Sequence, residues 1–219
     1  KKVKAGFHSL YEKNYLSGVL EDVFKDLRLG EISVPLIIPS TDIVHGGVHV
    51  FKSNYSKSFT RDNDVKVREA VLASCSAPTY FDPTKVGAYS LADGGLWANN
   101  PSLAAVIDAQ YRLSKDINHL RVLSLGTGLS RSSYDADIES KNWGFVNGWE
   151  GKKFINFLMS LQAQSIQNYL QLTLSETQLL RINFESDIEL TLDDSTQVPT
   201  LISKADRDFT HKSDLLKNF

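Results

Sequence analysis

The sequence holds a single cysteine, Cys75, so an internal disulfide is excluded and the fold does not depend on an oxidising compartment. A cytoplasmic protein, peripheral to a membrane at most, is the expectation. Long apolar runs are missing as well. Val34-Pro35-Leu36-Ile37-Ile38 falls far short of the ~20 residues that span a bilayer, and the Lys-rich start is not followed by a hydrophobic stretch of signal-peptide length. Charge of one sign is also lacking, with 24 Lys and Arg against 26 Asp and Glu. That balance excludes a general attraction to nucleic acid polymers or to an anionic bilayer, and any lipid contact must be local. The chain starts at Lys1 and its only methionine is Met159, which makes a fragment or processed product the expectation. What is present is 219 residues with 42% hydrophobic content, enough to bury the core of one domain with or without an appendage.

Strands and helices alternate along the chain. Val19, Leu20, Val23, Phe24 and Leu27 lie at helical spacing between Ser17, a candidate cap, and Gly30, placed to end the helix near Leu29. Val34 to Pro39 and Val48-His49-Val50-Phe51 read as two strands. Asp64 to Ala73 reads as a helix that stops at Ser74-Cys75-Ser76-Ala77-Pro78, because proline disfavours helix in the residue before it. Ala88 to Ala92 is a brief strand ending at Asp93-Gly94-Gly95; Asn100-Pro101 then opens a helix from Ser102 to Leu113. Arg121 to Leu125 is a further strand, and Ser130 to Ser140 a Ser/Asp-rich loop. A long helix over Lys152 to Leu174, a strand over Leu179 to Phe184 and a last helix over Pro199 to Asn218 complete the chain. The alternation predicts an α/β fold with a largely parallel sheet flanked by helices.

In such a sheet, ligands bind beyond the carboxyl ends of the strands, which singles out Asp93. Gly94 and Gly95 behind it permit positive φ and a close approach of substrate or backbone. Three segments then resemble consecutive motifs of the patatin-like phospholipases: Cys75-Ser76-Ala77-Pro78-Thr79-Tyr80-Phe81, Ala92-Asp93-Gly94-Gly95-Leu96-Trp97-Ala98-Asn99-Asn100-Pro101, and Val122-Leu123-Ser124-Leu125-Gly126-Thr127-Gly128. The resemblance covers roughly Leu10 to Gly128. It implies a patatin-like variant of the α/β-hydrolase fold, with 1–130 as the C-terminal portion of the core and 131–219 as an extension packed on the same domain.

The family's catalytic pair is a serine on a GxSxG elbow and the aspartate of its DG[GA] motif, with a glycine-rich oxyanion segment. Carried over, Asp93 is the proton acceptor, Gly94 and Gly95 form the turn, and Ser76, Pro78, Thr79 and Asn99 are candidate lining residues. No GxSxG occurs in the sequence, so the nucleophile and oxyanion donors are expected upstream of Lys1. A serine hydroxyl is a poor nucleophile until a base takes its proton, and burial raises the basicity of a carboxylate placed to do so. The implied activity is hydrolysis of a lipid or phospholipid acyl ester at a membrane surface by the complete protein, with this fragment inactive alone. The resemblance implies no cofactor and no metal, since a Ser-Asp dyad needs neither.

Beyond Gly128, Asn142-Trp143-Gly144, Gln162-Ala163-Gln164 and Leu180 to Asn183 followed by Leu192-Asp193-Asp194 look similar to bacterial patatin-like enzymes, some of them switched on by cyclic oligonucleotides. A cyclic nucleotide activator is therefore a candidate partner. The contrasting reading is a non-catalytic scaffold that keeps the patatin-like core without the nucleophile. Among the bland alternatives, His45 and His49 are four apart, but Gly46-Gly47 between them argue against a helical zinc pair. Gly126-Thr127-Gly128 lacks the Lys-Ser/Thr of a phosphate loop and reads as a structural turn.

Overall fold

A computed structural model describes residues 9–130, 134, 143–144, 148–186, 190 and 193–219. By contacts the chain divides into two compact units, Lys1–Pro101 and Ser102–Phe219. Most of the Ser/Asp-rich stretch 130–140, together with Asn142 and Leu192, lies outside the described residues.

The first unit is built on a four-stranded sheet in the order β2-β1-β4-β3, with β1 Ile37–Asp42, β2 Gly47–Lys52, β3 Thr84–Val86 and β4 Tyr89–Asp93. The chain is α/β, yet every pairing in this sheet is antiparallel. The largely parallel sheet expected from the alternation is not found here. Short connections explain the difference: β1 reaches β2 across residues 43–46 and β3 reaches β4 across Gly87-Ala88, too few residues for the crossover that parallel neighbours need. Gly46 and Gly87 carry positive φ in these turns, at 65° and 56°. Among the described residues, parallel pairing occurs in the second unit, between β5 Val122–Leu125 and β7 Leu179–Ile182 and between β6 Leu129–Ser130 and β8 Glu185–Ser186.

Helix α2, Val67–Ser74, packs on β1, β3 and β4. It buries Val67, Ala70 and Ala73 against Leu29, Phe51, Val86 and Leu91. Leu29, Phe51 and Leu91 are at most 1% exposed, and each such burial stabilises the fold by about 1.5–3 kcal/mol. Helix α1 spans Asn14–Phe24 and ends where Lys25 turns left-handed at φ 49°, not at Gly30. Leu27, which keeps the helical spacing, lies beyond the helix: Val67 N–H donates to Leu27 O at 2.9 Å, and the chain then enters a short 3-10 turn, Leu29–Glu31, whose Leu29 N–H donates to Val65 O at 2.9 Å. Gly30 is needed for a different reason: a Cβ there would sit 2.9 Å from Asn63 O.

The second unit carries α4 Ser102–Arg112, α5 Lys152–Thr173 and α6 Val198–Asn218. Val106, Leu170 and Leu174 form its buried centre, with Leu103, Val122, Ile166 and Leu179 packed around them. Gly126 and Gly128 abut the chain just after β7: Cβ atoms would meet Asn183 Oδ1 at 2.3 Å and the Phe184 ring at 2.5 Å. Gly128 N–H donates to Asn183 Oδ1 at 2.9 Å. The turn is thereby occupied by side chains of its own unit. Trp143 and Trp149 meet Tyr134 edge to face at centroid distances of 5.5 and 5.4 Å.

Candidate active site

Asp93 is the last residue of β4 and pairs with Ser40 in the middle strand β1, which in turn pairs with His49 of β2. Because the sheet is antiparallel, the parallel-sheet rule that first singled out Asp93 does not apply. Its position is set instead by clamping on two sides. On one side, Asp93 N–H donates to Ser76 O at 3.0 Å and Gly94 N–H to Ser74 O at 3.3 Å. On the other, Thr41 Oγ1 donates to Asp93 O and Ser40 Oγ to Ala92 O, both at 2.8 Å. Ser74 Oγ then donates to Pro39 O at 2.6 Å and Trp97 Nε1 to Ser40 O at 2.9 Å. The end of α2 and the middle of β1 thus hold the aspartate backbone in common.

Gly94 has φ −68°, so positive φ is not why glycine stands there. A Cβ at Gly94 would lie 2.2 Å from Pro39 O and 2.4 Å from Pro39 C. The requirement is close passage of two backbones. Gly95 begins the short helix α3, Gly95–Ala98, and its N–H donates to Asp93 Oδ1 at 2.6 Å.

The carboxylate is half-buried. Burial pushes its pKa up from the ordinary carboxylate range, and the Gly95 N–H pulls it back in part. Among the described residues, nothing donates a hydrogen bond to Oδ2. One oxygen is thus fixed while the other keeps its lone pairs, the arrangement a general base requires. Cys75 is exposed, but the protein around its sulfur and then the charge of Asp93 push its thiol pKa up, which makes it a poor nucleophile at neutral pH.

The loop that follows α2 carries backbone strain. Tyr80 N–H donates to Ala77 O at 3.1 Å, closing a β-turn with Pro78 second and Thr79 third. Thr79 adopts φ 73°, a conformation that such a turn ordinarily assigns to glycine.

Residues 2–106 match the family model described as patatin-like phospholipase. They belong to the patatin-like phospholipase family. Among curated proteins, the chain is similar to a cGAMP-activated phospholipase of Escherichia coli (strain TW11681), with 31% identity over 66% of this chain and 43% of that protein. A cGAMP-activated phospholipase of Pseudomonas aeruginosa is 28% identical over 85% of this chain and 54% of its own length. Patatin-like protein 4 of Arabidopsis thaliana is 26% identical over 86% and 54%. The chain spans about half the length of these curated relatives.

Within this patatin-like segment the remaining candidates fall into different environments. Ser76 is 1% exposed, and its Oγ donates to Leu72 O at 2.7 Å and meets Thr84 Oγ1 at 2.7 Å. It ties the turn after α2 to β3. Pro78 is half-buried, while Thr79 and Asn99 are exposed. Sequence reasoning did not identify Pro39, Ser40 and Thr41 as supports of the aspartate. Their signal was two hydroxyl residues following an apolar strand, legible only once the strand pairing is known.

His45 and His49 lie in the β1–β2 hairpin, His45 in its turn and His49 on β2. His45 Nδ1 contacts Asp42 Oδ2 at 2.7 Å, and this bond holds the Asp42 carboxyl below its usual range. His49 is 4% exposed, packed against Phe51 and Tyr89 at 4.6 and 4.7 Å, with Nε2 unpartnered among the described residues.

Proposed function

We propose that the complete protein is a lipid acyl hydrolase in which Asp93 is the general base of a Ser-Asp dyad. The observation that carries this reading is the carboxylate itself: half-buried, raised in pKa, fixed through one oxygen and open at the other, inside the segment that matches the patatin-like family. The serine is supplied by a part of the complete protein outside residues 1–219; relatives of which this chain spans about half have the room for it. Asp93 takes the serine proton as the hydroxyl oxygen attacks the acyl carbonyl and returns it to the departing alcohol. Lipid substrate is met at a membrane surface; no helix among the described residues is long and apolar enough to cross one.

The test is Asp93→Asn in the complete protein, assayed on phospholipid vesicles and on a soluble ester. Loss of about 10²–10⁴-fold in kcat is expected for a missing general base, and retained activity would sink the assignment. The 219-residue chain alone is expected to be inactive. A scaffold without catalysis would show no hydrolysis in the complete protein either.

Regulation by a cyclic nucleotide is a second reading, supported by relatives that are named for activation by cGAMP or cUMP-AMP. Hydrolysis by the complete protein should then depend on added cyclic dinucleotide, and constitutive activity would count against it.

A further inference from the structure

In the first unit, the hairpin that joins β1 to β2 ends in Ile43-Val44-His45-Gly46-Gly47-Val48, six consecutive exposed residues. Turns are ordinarily built from polar residues. Here Val44 and Val48 are each 66% exposed and Ile43 47%, and none of the six is Asp, Glu, Lys or Arg. The backbone beneath them is already satisfied. Ile43 N–H donates to Ser90 O at 3.1 Å, and the buried Asp42 carboxylate accepts from Val44 N–H at 3.0 Å and from His45 N–H at 3.3 Å. His45 Nδ1 meets the other Asp42 oxygen. Aliphatic side chains are thus presented on a turn whose first three N–H groups do not depend on water, as entry into a medium without hydrogen-bonding partners requires.

Six residues are too few for a stable protein interface, which takes roughly 20–30 on each side, whereas a bilayer accepts a protruding apolar tip without a shaped partner. The charge at this end of the sheet agrees. Strand β4 starts here, directly after the β3–β4 turn, since Ser90 both accepts from Ile43 N–H and pairs with Lys85. Residues 84–90 contain no Asp or Glu, and Lys85 is exposed. An apolar tip flanked by a lysine, with no exposed carboxylate in either turn, complements an anionic headgroup surface over a hydrocarbon interior. We propose that the β1–β2 hairpin tip seats the protein on a membrane containing anionic phospholipid, Ile43, Val44 and Val48 entering the lipid and Lys85 resting among the phosphates. The inference rests on the lipid substrate of the hydrolase reading and names the surface that meets it. Strand β1 connects the two: Ser40, paired with Asp93, precedes Ile43 by about 10 Å of strand. A protein seated by its tip holds the candidate base near the lipid it would act on.

Sedimentation of the complete protein with vesicles of ether-linked phosphatidylcholine, with and without equimolar ether-linked phosphatidylglycerol, reads binding apart from hydrolysis, because ether lipids offer no acyl ester to cleave. Binding to the mixed vesicles is expected. Val44→Asp and Val48→Asp should each weaken it by about tenfold or more, since a carboxylate replaces an aliphatic group that leaves water. Val44→Trp should strengthen it several-fold, a gain that a misfolded variant does not produce. Lys85→Glu should reduce binding to the mixed vesicles and leave phosphatidylcholine binding unchanged. Val44, Val48 and Lys85 are exposed, so melting temperature and oligomeric state should stay those of the wild type. Absence of vesicle binding, or binding untouched by both aspartate variants, overturns the proposal. So does a lowered melting temperature or a changed oligomeric state in Val44→Asp, which would show the tip covered by protein and not by lipid. Vesicle binding lost in the aspartate variants supports it, and that loss in a protein that hydrolyses no soluble ester defeats the hydrolase reading alone.

Discussion

Replacing Gly94 with alanine tests the clamp around Asp93 directly. The added Cβ would lie 2.2 Å from Pro39 O and 2.4 Å from Pro39 C, where real Cβ atoms keep at least 3.0 Å. Both obstructing atoms are backbone, in the central strand of the sheet, so β1 or the end of β4 must move by roughly an ångström, against the low compressibility of a packed interior. Overpacking of this kind costs about 1–3 kcal/mol, and a backbone obstacle places Gly94→Ala at the upper end. At about 4–8 °C per kcal/mol for a domain of this size, the first unit should melt on the order of 10–20 °C lower. Gly18→Ala is the matched control. Gly18 lies within α1 with nothing within 4 Å of its would-be Cβ, so the same substitution there should stabilise by about 0.5–1 kcal/mol. Thermal unfolding followed by circular dichroism reads both. If Gly94→Ala melts with the wild type, or Gly18→Ala falls as far, the close approach to Pro39 is not what requires glycine.

Three further outcomes follow from the same geometry. Burial raises the Asp93 pKa, so its contribution to stability is full below the unfolded carboxylate pKa and is lost as pH rises through the folded value; Asp93→Asn should therefore be the more stable protein at neutral pH, with the gain disappearing in acid. His49 is buried with a depressed pKa, first through desolvation and then through Arg61, so the fold should lose stability as pH falls below the unfolded histidine value of about 6.5, and His49→Phe should flatten that slope in denaturant titrations. Ser76→Ala removes the hydroxyl shared by Leu72 O and Thr84 Oγ1, which should cost about 1–3 kcal/mol by urea unfolding; an unchanged midpoint would show that the contact adds nothing.

Helical periodicity located α4, α5 and α6 to within a few residues, because in those segments apolar spacing and length agree. It carried α1 too far, because Leu27 keeps helical spacing while its backbone carbonyl accepts from Val67 N–H. Tertiary pairing there overrides local preference. Strand β3 escaped notice because Thr84-Lys85-Val86 is three residues long and draws its meaning from β4. Alternation of strands and helices suggested parallel pairing, yet the short turns at 43–46 and 87–88 enforce hairpins. At the candidate site, Asp93 was legible from its motif and the glycine after it was flagged for positive φ and for close approach of another backbone; only the second holds, and which backbone approaches was not legible because Pro39 lies more than fifty positions away.

The clamp also has a dynamic meaning. Both peptide groups of Asp93 are tied down, its N–H to the turn after α2 and its carbonyl to Thr41 on β1. The residue cannot swing as part of a loose loop; releasing it means opening the helix end and the sheet centre together. Its amide should accordingly exchange with solvent as slowly as the amides of the sheet core, through cooperative opening and not local fraying. Under the role proposed for Asp93, the reacting group must be brought to the aspartate, and whatever adjusts during turnover belongs to the nucleophile or the substrate.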